Sequence, residues 1–232
     1  MHVLEVKHVQ TKIDGKLLLD DISFSLQEGE VLALVGHNGA GKSTLMKTIM
    51  QVNEKQAGTI TIKEQYDQDE HLLSFKKHIS YLPEQPLLLT ELTVMQHFQL
   101  YALSYDIAAD DFEAKLVRYV KGFGLSTKMD AYPEELSKGM RQKVQTICAF
   151  LPDVPVMLID EPFMGLDVYA VDYFLAVLKE KIDEGMSVVL TSHQLDQVKD
   201  IADTFLMLEE GRVKSTGDIH EFTTITKGFQ DD

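Results

Sequence analysis

The sequence predicts a parallel α/β domain interrupted by a helical insertion at about residues 86–154, and three observations carry that expectation. The first is the unbroken apolar run Val31-Leu32-Ala33-Leu34-Val35, the mark of a strand buried on both faces, which feeds into a glycine-rich loop. The second is a middle third whose apolar residues recur at helical spacing. The third is the return of strand character at Val156-Met157-Leu158-Ile159 and again at residues 187–191, on either side of a helical pattern at 169–184.

Each element has its own signal. Val3-Leu4-Glu5-Val6 is short and β-prone, Ile22-Ser23-Phe24-Ser25-Leu26 alternates apolar and polar, and Gly29 marks a turn. After the buried strand, residues 42–50 read as a helix and Gly58-Thr59-Ile60-Thr61-Ile62 as a further strand. In the middle, 93–103 and 110–123 are helical. Phe112, Leu116, Tyr119, Val120 and Phe123 share one face, and Asp110-Asp111 place negative charge where the helix dipole favours it. Residues 137–151 form a third helix with Ser137 as N-cap. The acidic run 67–70 reads as a solvated loop and Asp231-Asp232 as a frayed tail.

Composition narrows the function. With 232 residues, 44% of them hydrophobic, the chain can bury a sizeable core, as one large domain or a domain with a subdomain. Twenty-two basic residues against 37 acidic ones give a net charge of -15, which argues against nucleic-acid partners and against adhesion to anionic lipid by charge alone. The single cysteine, Cys148, cannot form an internal disulfide and reads as a small core residue in a reducing compartment. The start of the chain lacks a secretory pattern, and no apolar stretch approaches the ~18 residues of a membrane span, so a cytoplasmic protein is expected. The histidines show no paired zinc spacing.

Two motifs carry chemistry. Gly36-His37-Asn38-Gly39-Ala40-Gly41-Lys42-Ser43-Thr44 fits the phosphate loop G-x-x-x-x-G-K-[ST]. Glycines let backbone N–H groups converge on phosphate oxygens, and the following helix aims its positive dipole end at the same anion. Lys42 is placed to reach the β- and γ-phosphates and the Ser43 hydroxyl to ligate Mg²⁺, whereas His37 reads equally as a loop residue or a ligand contact. The second motif is an apolar strand ending in Asp160-Glu161-Pro162. Ligands of parallel sheets bind at the carboxyl ends of strands, so Asp160 can hold Mg²⁺ while Glu161 polarises the water that attacks the γ-phosphorus.

Further motifs bring a family resemblance. Leu136-Ser137-Lys138-Gly139-Met140 resembles the LSGGQ signature of ABC ATPases, Met164-Gly165-Leu166-Asp167 is similar to their D-loop, and Thr191-Ser192-His193 to their switch histidine. The chain is identified as similar to an ABC transporter nucleotide-binding subunit. Tyr81-Leu82-Pro83-Glu84-Gln85-Pro86 and Cys148-Ala149-Phe150-Leu151 extend the resemblance to Ecs-type transporters. The resemblance implies a P-loop NTPase core of residues 1–85 and 155–232 with an N-terminal antiparallel β subdomain, and a helical signature subdomain at 86–154. It implies ATP and Mg²⁺ as ligands, with His193 and Glu161 in catalysis and Ser137, Lys138, Gly139 and Met140 acting on the nucleotide of a second ATP-binding subunit, expected to be identical. It implies a peripheral place on the cytoplasmic membrane face, a multi-span permease subunit as partner, and export, with peptides or peptide pheromones as the cargo class.

Departures from the family pattern sharpen the expectations. Lys138 and Met140 stand where the signature usually has Gly and Gln. The Q-loop glutamine position holds Glu84 with Gln85 beside it, and either could serve, Glu84 as a further contact to Mg²⁺ through water. No aromatic residue precedes Phe24, so a base would pack on Ile13 without π-stacking, and weak discrimination between ATP and GTP is expected. An importer subunit would share every motif. A soluble, non-transport ABC ATPase is disfavoured by the single nucleotide-binding domain and the absence of a long coiled-coil pattern.

Overall fold

The computed structural model describes residues 2–192 and 199–222. Strands β1 (His2–Ile13), β2 (Lys16–Gln27), β4 (Lys55–Ile62) and β5 (Tyr66–Asp67) form an antiparallel sheet in the order β2-β1-β4-β5. A second sheet holds β3 (Val31–Val35), β6 (Ile79–Leu82), β7 (Val156–Asp160), β8 (Ser187–Thr191), β9 (Thr204–Glu209) and β10 (Arg212–Asp218), in the order β10-β9-β3-β8-β7-β6. Its strands run parallel except β10, which pairs antiparallel with β9. The helices are α1 (Lys42–Ile49), α2 (Leu72–Lys77), α3 (Val94–Ser104), α4 (Ala109–Gly122), α5 (Lys138–Phe150) and α6 (Val168–Asp183).

The unbroken apolar runs follow from burial on both faces of this second sheet. Val31, Ala33 and Val35 of β3, with Met157 and Ile159 of β7, face a core shared with Ile147 and Phe150 of α5 and Phe174 of α6. The intervening Leu32, Leu34, Val156 and Leu158 face the opposite core, built with Leu45 and Ile49 of α1 and Leu4, Val6 and Ile60 of the antiparallel sheet. Successive side chains of a strand point to opposite faces, so both parities must be apolar here.

Helices α3, α4 and α5 all fall between β6 and β7 in chain order. Thr93 and Gln96 close a capping box on α3, and Ser137 caps α5 by accepting from Met140 N–H. Leu116, Tyr119, Val120 and Phe123 are buried as the helical pattern requires. The Phe150 ring lies 6.2 Å from Tyr119 and 5.2 Å from Phe174, joining α4, α5 and α6. Cys148 is fully buried and burial pushes its thiol pKa up, as suits a core residue.

Some local expectations are corrected. β1 and β2 each run 12 residues, far longer than their strongest patches. Bulges interrupt β1, and a shifted register breaks the alternation that sequence reading depends on. Helix α2 and strands β5, β6, β9 and β10 are additional to those expected. The acidic run 67–70 is not simply a solvated loop, because Gln68 within it is buried. Its Nε2 donates to Thr48 O at 2.7 Å and Ile49 O at 2.8 Å, and its Oε1 accepts from Lys55 Nζ at 2.9 Å. Gln68 thus meets the Ile49 carbonyl at the end of α1 and shares Thr48 O with the Gln51 N–H. Gln68→Leu is expected to destabilise the protein by about 1–3 kcal/mol, read from urea unfolding with an unchanged slope. An unchanged midpoint would show that water satisfies those carbonyls equally well.

Candidate active site

Strand β3 ends at Val35, and the chain turns through residues 36–41 into α1. Gly41 stands at the helix N-cap with φ +111°, and a Cβ there would lie 3.0 Å from Leu19 Cδ2, so glycine is needed for both conformation and space. The Lys42 ammonium is folded into the loop, donating to Gly36 O at 2.7 Å and His37 O at 3.2 Å. Burial lowers the Lys42 pKa, and the carboxylates of Glu161 and Asp160 oppose that shift.

The acidic pair is held by strand β8. Thr191 is fully buried, and its hydroxyl donates to Asp160 Oδ1 at 2.6 Å. The same hydroxyl accepts from Glu161 N–H at 3.1 Å, while Thr191 O lies 3.2 Å from that nitrogen. Glu161 takes φ +49°, a conformation uncommon for a residue with a side chain. The turn out of β7 therefore fixes two adjacent carboxylates in different settings.

These parts meet in a cavity of about 540 Å³, within the range of small-molecule sites. Asn38, Gly39, Gly41, Lys42, Ser43 and Thr44 line one wall, Glu84, Asp160 and Glu161 supply carboxylates, and Leu18 is the apolar member. Gly36 and His37 act through the carbonyls that hold Lys42, Ala40 is fully buried, and the His37 ring contacts Asn38 O at 2.8 Å. A neighbouring cavity of about 310 Å³ shares Ser43, Glu84 and Asp160 and adds Gln85 and Leu87. Glu84 therefore borders both spaces and Gln85 only the second. Ile13 does not line the larger cavity; it pairs with Lys16 where the hairpin closes, and Leu18 takes the apolar position.

The remaining expected residues lie apart from this cavity. None of Ser137, Lys138, Gly139 and Met140 lines it. Instead Gly139 packs against the Gly165 carbonyl so closely that a Cβ would sit 2.5 Å from that oxygen. Lys143 Nζ pairs with Asp167 Oδ2 at 2.6 Å, which holds the Asp167 carboxyl below the usual range. Asp167 also caps α6 by accepting from Ala170 N–H at 2.9 Å. His193 lies outside the described residues. Sequence reasoning gave no task to Leu18, Thr191 or Lys143. Lys143 was legible as a cation on the signature helix, but its partner was not.

The donor set suits Mg²⁺. Among the described residues no three or more His, Cys, Asp or Glu side chains converge as a closed metal site. Mg²⁺ commonly takes one or two carboxylates together with phosphate oxygens and water, and Ser43, Asp160 and Glu84 offer hard oxygen donors at one wall.

The ABC transporter family matches residues 19–164. The chain is 33% identical over 222 residues to the ABC-type transporter ATP-binding protein EcsA of Bacillus subtilis, covering 95% of this chain and 89% of that protein. It is 30% identical over 213 residues to the SkfA peptide export ATP-binding protein SkfE of Bacillus subtilis, covering 92% and 88%. A solved structure of an ATP-binding subunit of an ABC transporter matches with a TM-score of 0.91 at 35% identity, over 97% of this chain and 93% of that one.

An aliphatic contact such as Leu18 cannot read the polar edge that distinguishes adenine from guanine. ATP and GTP are therefore expected to be hydrolysed at rates within about threefold of each other, less than ~1 kcal/mol of discrimination, as measured by phosphate release. A strong preference for ATP would contradict a base site built on Leu18.

Proposed function

Since the chain belongs to the ABC transporter family and is an ATP-binding, ATP-hydrolysing subunit of such a transporter, we propose that two copies close around two ATP molecules to drive export of a peptide through a separate multi-span membrane subunit. The observation that carries this reading is the division of the machinery. The phosphate loop and carboxylates share one cavity, while the signature residues lie outside it. One chain holds half of each site, and a second copy would supply Ser137 and Gly139 to the γ-phosphate. The similarity to SkfE, a peptide export protein by name, supports the cargo class, and the similarity to EcsA agrees with the Ecs-type resemblance.

In this mechanism the loop N–H groups and Lys42 neutralise the β- and γ-phosphate oxygens. Glu161 accepts a proton from water as its oxygen bonds to the γ-phosphorus, and the bond from that phosphorus to the β–γ bridging oxygen breaks. His193 would steady the same transferring group. Ser43 and Asp160, with Glu84 through water, would hold Mg²⁺, which when bound offsets the charge on the phosphate oxygens. Asp167, paired with Lys143, would stand at the seam between copies.

No described helix is long and apolar enough to cross a membrane. A peripheral position on the cytoplasmic membrane face would come through the membrane subunit. The exposed Leu87 and Leu89, beside the Glu84 loop, are the apolar surface offered to it.

Glu161→Gln is expected to keep ATP binding, lose about 10²–10⁴-fold in hydrolysis and accumulate an ATP-bound dimer on size exclusion; a wild-type rate would remove Glu161 from the base role. Lys42→Ala is expected to lose most nucleotide affinity by calorimetry, since the charged phosphate anchor is gone, and unchanged affinity would contradict that role. Gentle extraction of native membranes and mass spectrometry of co-purifying proteins tests the transport reading. A multi-span subunit without a solute-binding protein supports export. A permease with an extracytoplasmic binding protein would make the chain an importer ATPase, and no membrane protein would overturn the transport reading.

A further inference from the structure

Beyond Glu84 the chain passes through residues 86–89 in no regular element, so its N–H groups have no ladder to join. Two of them are instead met by buried side chains from different helices. Leu87 N–H donates to Gln145 Oε1 of α5 at 3.0 Å, and Leu89 N–H donates to His97 Nε2 of α3 at 2.9 Å. Both acceptors are only 2% exposed.

The contacts around each acceptor fix its orientation. Gln145 Nε2 lies 3.2 Å from the Tyr101 hydroxyl, which sets the amide with its oxygen toward Leu87. His97 Nδ1 lies 2.7 Å from Thr93 O, so the ring carries its proton there and leaves Nε2 free to accept. Tyr105, stacked on Tyr101, donates to Ile79 O at 2.8 Å and ties α3 to β6, the strand that leads to Glu84. With alternate N–H groups seated inward, Leu87 and Leu89 are left exposed while Leu88 packs against the core. A buried amide and imidazole are costly where apolar side chains would pack, unless their hydrogen bonds are needed.

The seated segment is also a wall of the site. Leu87 lines the smaller cavity together with Glu84, Ser43 and Asp160. We propose that Gln145 and His97 are positioning residues that fix the segment following Glu84, and with it the placement of the Glu84 carboxylate relative to Ser43 and Asp160. The proposal rests on the reading of Glu84 as a contact to Mg²⁺ through water. Because Gln145 and the signature residues lie on one helix, the same bond joins the Glu84 loop to the element that would meet the second copy.

The test uses the full chain and four variants, with amide hydrogen exchange at Leu87 and Leu89, kcat, KM for ATP, and the Mg²⁺ concentration giving half-maximal rate. Gln145→Leu is expected to speed exchange at Leu87 about tenfold or more, to lower kcat and to raise the Mg²⁺ requirement, with KM for ATP little changed. His97→Leu is expected to do the same through Leu89, and His97→Gln, which keeps an acceptor, to restore exchange, kcat and the Mg²⁺ requirement. Unchanged exchange in Gln145→Leu overturns the tether, and faster exchange with unchanged kcat and Mg²⁺ requirement overturns its role in positioning. Glu84→Ala separates the underlying reading: an unaltered Mg²⁺ requirement there sinks the role of Glu84, whatever the exchange rates show.

Discussion

The site depends first on how the end of β7 is held against β8. Asp160 pairs in register with Thr191, and the Thr191 hydroxyl uses its proton on the Asp160 carboxylate and its lone pair on the Glu161 amide. Buried hydrogen bonds of this kind are poorly screened, and leaving either partner unmade would strand a polar group in the core. The threonine thereby sets both carboxylates, one against the sheet and one at a left-handed turn, before any ligand arrives. The phosphate loop is anchored in the same sheet through β3, which pairs directly with β8. Opposite charges are thus presented from the ends of β3 and β7, which flank β8, and the Asp160 and Glu161 carboxylates favour the charged form of Lys42.

Helix α5 links this centre to the rest of the molecule. Its N-terminus presents the signature residues, its first turns touch the turn that follows β7 through Gly139 on Gly165 O and Lys143 on Asp167, and its next turn reaches the Glu84 segment through Gln145. Its C-terminal half is locked in the aromatic core by Phe150. A helix with contacts to both segments couples them mechanically. Any shift of α5 must be shared by the turn carrying Asp167 and by the loop carrying Glu84.

Much of this was legible in the sequence because its signals are local. The run Val31–Val35, the glycines after it and the lysine at the helix start specify their own geometry, and Asp160-Glu161 ends a strand whose burial is written in its composition. Ser137 was readable as a cap for the same reason. What escaped depends on pairing between distant segments. Thr191 acts across a strand pair 31 residues from Asp160, Leu18 meets the loop because β2 is long, and Lys143 finds its partner 24 residues away. Gln68 looked like part of an acidic surface run because nothing near it in sequence shows the end of α1 it serves.

The central claim is that a working site takes its phosphate loop from one chain and its signature from another. Complementation tests it most directly. A chain with Ser137→Arg keeps its phosphate loop, and a chain with Lys42→Ala keeps its signature. Each is expected to be inactive alone, while their mixture regains ATP hydrolysis, because one of the two composite sites in the mixed dimer is intact. Activity in either variant alone, or a mixture as inactive as its parts, would contradict a site shared between two copies.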